Sequence, residues 1–435
     1  MKFEVLGRCS TTKARVCRMT LPHGPTILPT FMPVATQGTI KGLTPQQTAS
    51  LGVTLQLNNT YHLSLQPGVE VLDKAGGAHK FQGWNGNLLT DSGGFQMVSL
   101  LKFTQITEEG VLFASPFDGK PTMLTPEQSI AVQHSIGSDI MMQLDDVVSS
   151  LTTGPRVEEA MWRSVRWLDR CLKYHATAPP KAHRIDQKIF AIVQGGLDPE
   201  LRKTCCAEMV KRKDDAGLGG FAIGGLSGGE EKDVFWKVIS QCTDLLPADR
   251  PRYSMGVGYA EDLLVVVALG VDMADCVFPT RTARFGMALT FDGPLNTRSM
   301  ACIEDHRVIE EDCPCPTCRS GMSRAALNHM SSTTNSHHAI TLHNIAFQAR
   351  LMGQARTAIL EDTYPAYLKR FFPRYFANSQ GGIPSWCVDA LRSVGVDLGD
   401  HVSAGARTKR KAHTQEEDEG AKKEIEDEEE AAMNQ

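Results

Sequence analysis

The chain has 435 residues, 41% of them hydrophobic and 22% charged, with a formal net charge of −5. That balance excludes a disordered chain, and the longest apolar stretch, 263–270, is far too short to span a bilayer. The start, MKFEVLGRCS, lacks the apolar core of a secretory signal, and twelve mostly solitary cysteines read as small buried hydrophobes, so a reducing, cytoplasmic setting without a disulfide framework is expected.

Eight short apolar runs read as strands, at 27–34, 54–59, 88–91, 140–145, 189–194, 220–224, 252–255 and 271–277. They are largely continuous in apolar character, as parallel strands covered on both faces are, and helical patterns fill the intervals at 125–136, 157–174, 199–212 and 260–269. Thr125-Pro126-Glu127 and Asp198-Pro199-Glu200 each set a capping side chain ahead of a proline at the first helical position. The segment 111–123, VLFASPFDGKPTM, reads as a hairpin that turns at FDGK after the third strand. Repeated strand–helix units define the α/β class, and eight of them favour a (β/α)8 TIM barrel, which gathers the C-terminal ends of all its strands at one mouth. Beyond 277 the alternation stops. Residues 404–435 form a mixed-charge run, expected to be disordered, whose six Lys/Arg and ten Asp/Glu carry −4 of the net −5 and leave the rest at −1. A nearly neutral body argues against bulk electrostatic capture of nucleic acid and leaves room for a local basic patch.

Cys313, Cys315 and Cys318 form C-P-C-P-T-C, and His343 follows Cys318 by 25 residues in ITLHNIAFQ. Three thiolates and an imidazole complete a tetrahedral Zn²⁺ with no open position, so one structural ion per chain is expected and no chemistry at the metal. His329, His337 and His338 lie in the same interval. His343 is preferred because 339–350 has helical character that would fix an imidazole, whereas His337 and His338 stand in a Ser/Thr/Asn-rich stretch. The organisation expected is a barrel domain over 1–403 that includes a zinc-binding subdomain at 300–350, then the tail at 404–435.

Two acids stand out at strand ends. Asp91 precedes Ser92-Gly93-Gly94-Phe95-Gln96, a loop whose glycines let a ligand approach the backbone. Asp275 interrupts the apolar run VDMADCVF, where a buried charge must face a partner, a ligand or the mouth, because an unpaired one costs roughly several kcal/mol. Asp145-Asp146, Gln194-Gly195-Gly196, the Gly224-Gly225-Leu226-Ser227-Gly228-Gly229 rim and Met255-Gly256 end four further strands. An acid, an amide, exposed backbone and flat apolar walls from Phe95 and Met255 suit a purine-like heterocycle.

The strings TDSGGFQ, MMQLDD, VQGG, IGGLSGGE, YSMGVG, DCVFPTR, CPC-x2-C and LHNIAFQ, in this order, resemble the tRNA-guanine transglycosylase family over nearly all of residues 1–400, and within it the eukaryotic catalytic-subunit branch. The resemblance implies a TIM barrel with a zinc-bearing insertion that exchanges guanine at the wobble position of tRNAs with a G-U-N anticodon. By motif, Asp275 is similar to the nucleophile that attacks ribose C1′ and Asp91 to the general acid/base, a double displacement like that of a retaining glycosidase. It also implies that Asp145, Gln194 and Gly225 bond the base, that Phe95 and Met255 stack on it, and that Ser92, Gly224 and Gly228 line the same site. The target base must be flipped out to be read. Bacterial members carry a bulkier residue where this chain has Gly228 and a Cys where it has Val147; an open Gly228 leaves room for the cyclopentenediol of queuine. Arg281 and Arg284 in FPTRTARFG would hold nucleotides flanking position 34. The family's eukaryotic catalytic subunits pair with a homologous non-catalytic subunit through the zinc region, with helical segments at 39–51 and 325–330 as further candidates for that interface, and the catalytic branch also implies peripheral attachment at the mitochondrial outer surface.

Two other classes compete with this reading. A non-catalytic tRNA-binding or scaffolding subunit would lack the acid in TDSGG or in DCVFPTR, and both are present. A metal-dependent barrel hydrolase would need His-x-His or comparable ligands at strand ends, for which Tyr61-His62 is a poor substitute.

Overall fold

The computed structural model describes residues 1–94, 105–114, 120–179, 181, 183 and 186–399. Eight parallel strands follow one another around a barrel: β1 (Thr30–Pro33), β2 (Leu55–Asn58), β3 (Asn87–Thr90), β4 (Ile140–Met142), β5 (Lys188–Val193), β6 (Leu218–Ile223), β7 (Arg252–Ser254) and β8 (Met273–Cys276). β8 pairs with β1, and a single bridge from Val34 to Leu57 brings β1 to β2 and nearly closes the ring. The architecture is therefore the expected (β/α)8 barrel.

Alternation along these strands explains why they read as continuously apolar. Ile140, Met142, Phe190, Ile192 and Ala222 point into the barrel, while Met141, Ile189, Ala191, Val193 and Ile223 face the helices outside. Both faces are buried, so no polar residue marks the period.

The helices start where the caps predict. Thr125 caps α1 (Pro126–Ile136) in a reciprocal box with Gln128, and Asp198 caps α3 (Pro199–Val210) by accepting from Glu200 N and Leu201 N. Between them α2 (Pro155–Thr177) overruns its predicted 157–174 at both ends, and α4 (Lys232–Leu245) and α5 (Ala260–Ala268) continue the outer ring. The segment 39–51 is helical only over Pro45–Ser50, because Thr44 caps that helix and Pro45 opens it.

Two expectations need correction. The run 27–34 is two strands: Gly24–Leu28 belongs to an antiparallel sheet with Lys2–Arg8 and Arg15–Leu21, and β1 starts only beyond Pro29. That N-terminal sheet, unrecognised in the sequence, closes the N-terminal end of the barrel by adding Cys17, Met19, Leu21 and Leu28 to the interior cluster. His337 and His338 are helical, since α7 runs over Thr334–Leu360 from a Thr333 cap whose side chain accepts from Ser336 N. The predicted hairpin is borne out in its arms, with Val111–Ala114 antiparallel to Pro121–Leu124, while residues 117–119 of its FDGK turn, Phe95 and the tail at 404–435 lie outside the described residues. Among the described residues no helix is long and apolar enough to cross a membrane.

Candidate active site

Asp272, just before β8, and Asp275, within it, stand three residues apart, and the strand's direction sends them to opposite ends of the barrel. Asp272, fully buried at the N-terminal end, is held by the equally buried Arg15 through Nε at 2.9 Å and Nη2 at 2.7 Å. Asp275 emerges at the C-terminal mouth, where its Oδ1 accepts from the Tyr253 hydroxyl at 2.5 Å and from Gly256 N at 2.9 Å. Burial pushes the Asp275 carboxyl above its ordinary range, against the pull of those two donors.

Asp91 stands one residue beyond β3. Its Oδ2 accepts from Asn59 Nδ2 at 2.8 Å and its Oδ1 from Thr60 N at 2.7 Å, both from the polar turn that ends β2. Both acids bear on Tyr253, Asp275 through the hydrogen bond and Asp91 through its charge. Burial, reinforced by the charges of Asp275 and Asp91, pushes this phenol well above its usual range, so both carboxylates lie within electrostatic reach of one hydroxyl.

Beside them, Gln194 Nε2 donates to Asp145 Oδ2 at 2.7 Å, and the Ser92 hydroxyl also bonds that carboxyl. Burial, together with the neighbouring charge of Asp146, pushes Asp145 up to about 7. Asp146 itself is neutralised by Arg156 and Arg163. Gly225 has φ +66°, and a Cβ there would sit 2.4 Å from Gln194 Oε1; one on Gly224 would sit 3.2 Å from Gln194 Nε2 and 3.6 Å from Met255 Sδ. The glycines thus let bare backbone face the amide and the thioether. Gly228 is exposed on the rim, where a Cβ would meet Ser150 Oγ at 2.8 Å. The structure brings Ser92, Asp145, Gln194, Gly224, Gly225 and Met255 together, with Gly228 at the edge.

Sequence reading missed the supports. Tyr253 is fully buried at an inward position of β7, and Asn59 and Thr60 hold Asp91 in place. Arg202, also fully buried, ties Gly196 O at 2.7 Å and Val193 O at 2.9 Å behind Gln194. An arginine at helical spacing from Cys205, Cys206 and Met209 of α3 is the kind of signal that could have revealed the last; the others looked like ordinary strand-end polar residues.

Helix α6 (Phe278–Arg284) follows β8 directly and carries Arg281 and Arg284 in its last turn, both half-buried. The Arg281 side chain makes no hydrogen bond or ion pair among the described residues. Asn344 of α7 fastens this helix by donating to Pro279 O at 2.9 Å and Met287 O at 3.0 Å.

The adjacent His343 is part of a buried group with Cys313, Cys315 and Cys318 that could hold a metal ion. Its Nε2 donates to Leu289 O at 2.8 Å, which turns the lone pair of Nδ1 toward the three sulfurs at 3.5, 3.7 and 3.4 Å. Tetrahedral bonds of about 2.3 Å to sulfur and 2.0–2.1 Å to nitrogen would separate those donors by roughly 3.5 Å, so the donor set fits a zinc-sized ion without rearrangement. A second group, His23, His79 and Asp139, also has ligand-type atoms close together. Its imidazoles are stacked 3.5 Å apart and 15° from parallel, so no ion could lie in the plane of both rings. His23 Nδ1 and His79 Nε2 instead face Asp139 Oδ1 at 2.8 Å and Gly86 O at 3.1 Å as donors.

Paired carboxylates at a barrel mouth, next to an acid–amide edge backed by bare glycine backbone, define an enzyme of the (β/α)8 class with a site shaped for a flat polar ring. The family model described as queuine tRNA-ribosyltransferase matches residues 9–377. The chain is similar to the queuine tRNA-ribosyltransferase catalytic subunits of Schizosaccharomyces pombe, 54% identical over 92% of this chain and 98% of that protein, and of Caenorhabditis elegans, 45% identical over 92% and 100%. It is also similar to the queuine tRNA-ribosyltransferase of Thermus thermophilus, 43% identical over 91% of this chain and 98% of that protein. The chain belongs to the queuine tRNA-ribosyltransferase family.

Proposed function

We propose that this chain exchanges guanine at position 34 of G-U-N anticodon tRNAs for queuine, through a covalent bond between Asp275 and the ribose. The observation that carries the reading is that Asp275, bonded to Tyr253, and Asp91 both stand at the C-terminal ends of strands of one barrel. A carboxylate oxygen of Asp275 attacks C1′, the C1′–N9 bond breaks, and its electron pair leaves with guanine. The incoming base then displaces the aspartyl ester, so two inversions restore the configuration. Donors from Asn59 and Thr60 hold the Asp91 carboxyl in place, and it takes the N9 proton of the incoming base. In the opposite sense the protonated acid delivers that proton to the departing guanine.

Asp145, Gln194 and the backbone of Gly225 read the polar edge of the base, Ser92 and Gly224 shape the pocket, and Met255 covers one face; the family resemblance assigns the other to Phe95. At the rim Gly228 packs bare backbone against Ser150, where a side chain would collide, and the cyclopentenediol passes along this edge. Arg281 and Arg284 hold the flanking RNA, and the flipped nucleotide enters from the open mouth. Cys313, Cys315, Cys318 and His343 would hold zinc as a structural ion, and His343 and Asn344 tie this group to Leu289 and α6, just downstream of Asp275. A homologous non-catalytic subunit pairs through the zinc-bearing region, within a barrel domain of 1–403, and the complex works in the cytoplasm and at the mitochondrial outer surface.

Incubation with G-U-N tRNA and labelled guanine, with and without the accessory subunit, tests the mechanism. Incorporation is expected to vanish in Asp275→Ala and Asp91→Ala and to survive in Asp312→Ala; incorporation unchanged in Asp275→Ala would refute the nucleophile. Metal content near one ion per chain that persists in Cys315→Ala would refute the ligand set.

A further inference from the structure

On the flank of the barrel, between α7 and the helix α8 (Tyr364–Tyr375), lies a cavity of about 830 Å³. It reaches Ile27 beside the start of β1 and Leu360, whose side chain meets Gly7 of the N-terminal sheet, so it opens toward the end of the barrel opposite Asp275. Four arginines line it, and they are not equivalent. Arg350 is neutralised by Glu310 at 2.7 Å and Arg374 by Asp292 at 2.6 Å. Arg356 makes one hydrogen bond, from Nη1 to Pro29 O at 2.8 Å, and no ion pair among the described residues; Arg370 likewise has no ion pair there. Burial lowers the Arg356 pKa and no carboxylate counters it. Glu361 lies at the rim and is the lining acid among the described residues.

In the same cavity, within electrostatic reach of Arg370, the Tyr367 hydroxyl is buried with no hydrogen-bond partner, on a residue 9% exposed. Buried donors without partners are rare in native proteins and ask for a ligand or water. Phe291 and Phe371, edge to face at 6.3 Å, add an aromatic wall. A cation, an idle hydroxyl and flat apolar surface in one cavity match a specific chemistry.

We propose that this cavity binds a small organic anion, a carboxylate or phosphate monoester on a planar apolar group. The anionic end takes charge-assisted hydrogen bonds from Arg356 and Arg370 and one from the Tyr367 hydroxyl, and the planar part lies against Phe291 and Phe371. The site is independent of the base pocket.

Calorimetric titration of the full-length, metal-loaded protein with phenyl phosphate, benzoate and inorganic phosphate tests this. Saturable one-to-one binding of phenyl phosphate or benzoate is expected, tighter than that of inorganic phosphate, and which of the two binds better tells phosphate from carboxylate. Arg356→Gln should weaken it by about tenfold or more, the loss of one hydrogen bond to a charged group. Should that variant fail to fold, Tyr367→Phe keeps the ring and should weaken binding several-fold while base exchange stays unchanged. The proposal is overturned if none of the three probes binds saturably, if binding is unaltered in the variants that fold, or if it is displaced by saturating guanine or by an anticodon stem-loop RNA.

Discussion

Asp145 is the group whose state should set base affinity across the physiological range. Burial first, and the charge of Asp146 next, push it from an ordinary 3.8 to about 7. A carboxylate can accept from the two N–H groups on the amidine edge of guanine, whereas the neutral acid would present a donor there. The ionised fraction is about one tenth at pH 6 and about nine tenths at pH 8, so the KM for free guanine should be roughly tenfold higher at pH 6, with kcat less affected. In Asp145→Asn that pH dependence should disappear and KM should rise by about a hundredfold, the loss of a charged acceptor. Stability provides a second readout. The folded-state pKa lies above the unfolded one, so the contribution of this group is full below about pH 4 and is lost as pH rises through about 7. The preference for the neutral form is of order 4 kcal/mol at most, so Asp145→Asn should gain stability relative to the parent at pH 8 more than at pH 5. Guanine exchange at pH 6–8 and denaturant melts at pH 5 and 8 measure both. A KM for guanine that is flat from pH 6 to 8 in the unaltered protein would refute the reasoning.

Further expectations follow from the same geometry. Tyr253→Phe removes a donor that favours ionised Asp275, so the acid limb of kcat should move upward by about one to two pH units; an unmoved limb would show that the hydroxyl does not tune the nucleophile. Gly225→Ala places a methyl 2.4 Å from Gln194 Oε1 at φ +66°, and guanine KM should rise at least about tenfold while circular dichroism stays native; an unchanged KM would detach this backbone from base binding. Asp272→Asn at the far end of β8 should cost about 3–5 kcal/mol in urea melts, because it strands buried Arg15, and the variant measured at low temperature should keep its KM.

Much of the fold was legible locally. Continuous apolar runs, Thr125 and Asp198 caps, and prolines at helix starts are short-range signals, and each survives in the barrel. The metal-binding group was legible too, because three cysteines lie within six residues and the helical character of 339–350 singled out His343 from His329, His337 and His338. Where local signals were ambiguous they misled: Pro29 divides one apolar run between two sheets, and the polar stretch around His337 turned out to be helical because Thr333 caps it. The N-terminal sheet escaped because its strands pair with one another and fill the interior without a strand–helix repeat.

The sequence by itself determined which residue types were available: two lone acids at strand ends, a thiol cluster, and glycine-rich rims where side chains would obstruct a ligand. Only the tertiary structure decided what each one meets. Strand direction separates Asp272, locked to Arg15, from Asp275, aimed at the mouth, although both sit in the same apolar run. Barrel closure brings Asp91, Asp145, Gln194 and Tyr253 from four different strands to one end, and burial there raises the proton affinities of Asp145, Asp275 and Tyr253. Those effects depend on distance and solvent exclusion between residues far apart in the chain, which no local pattern encodes.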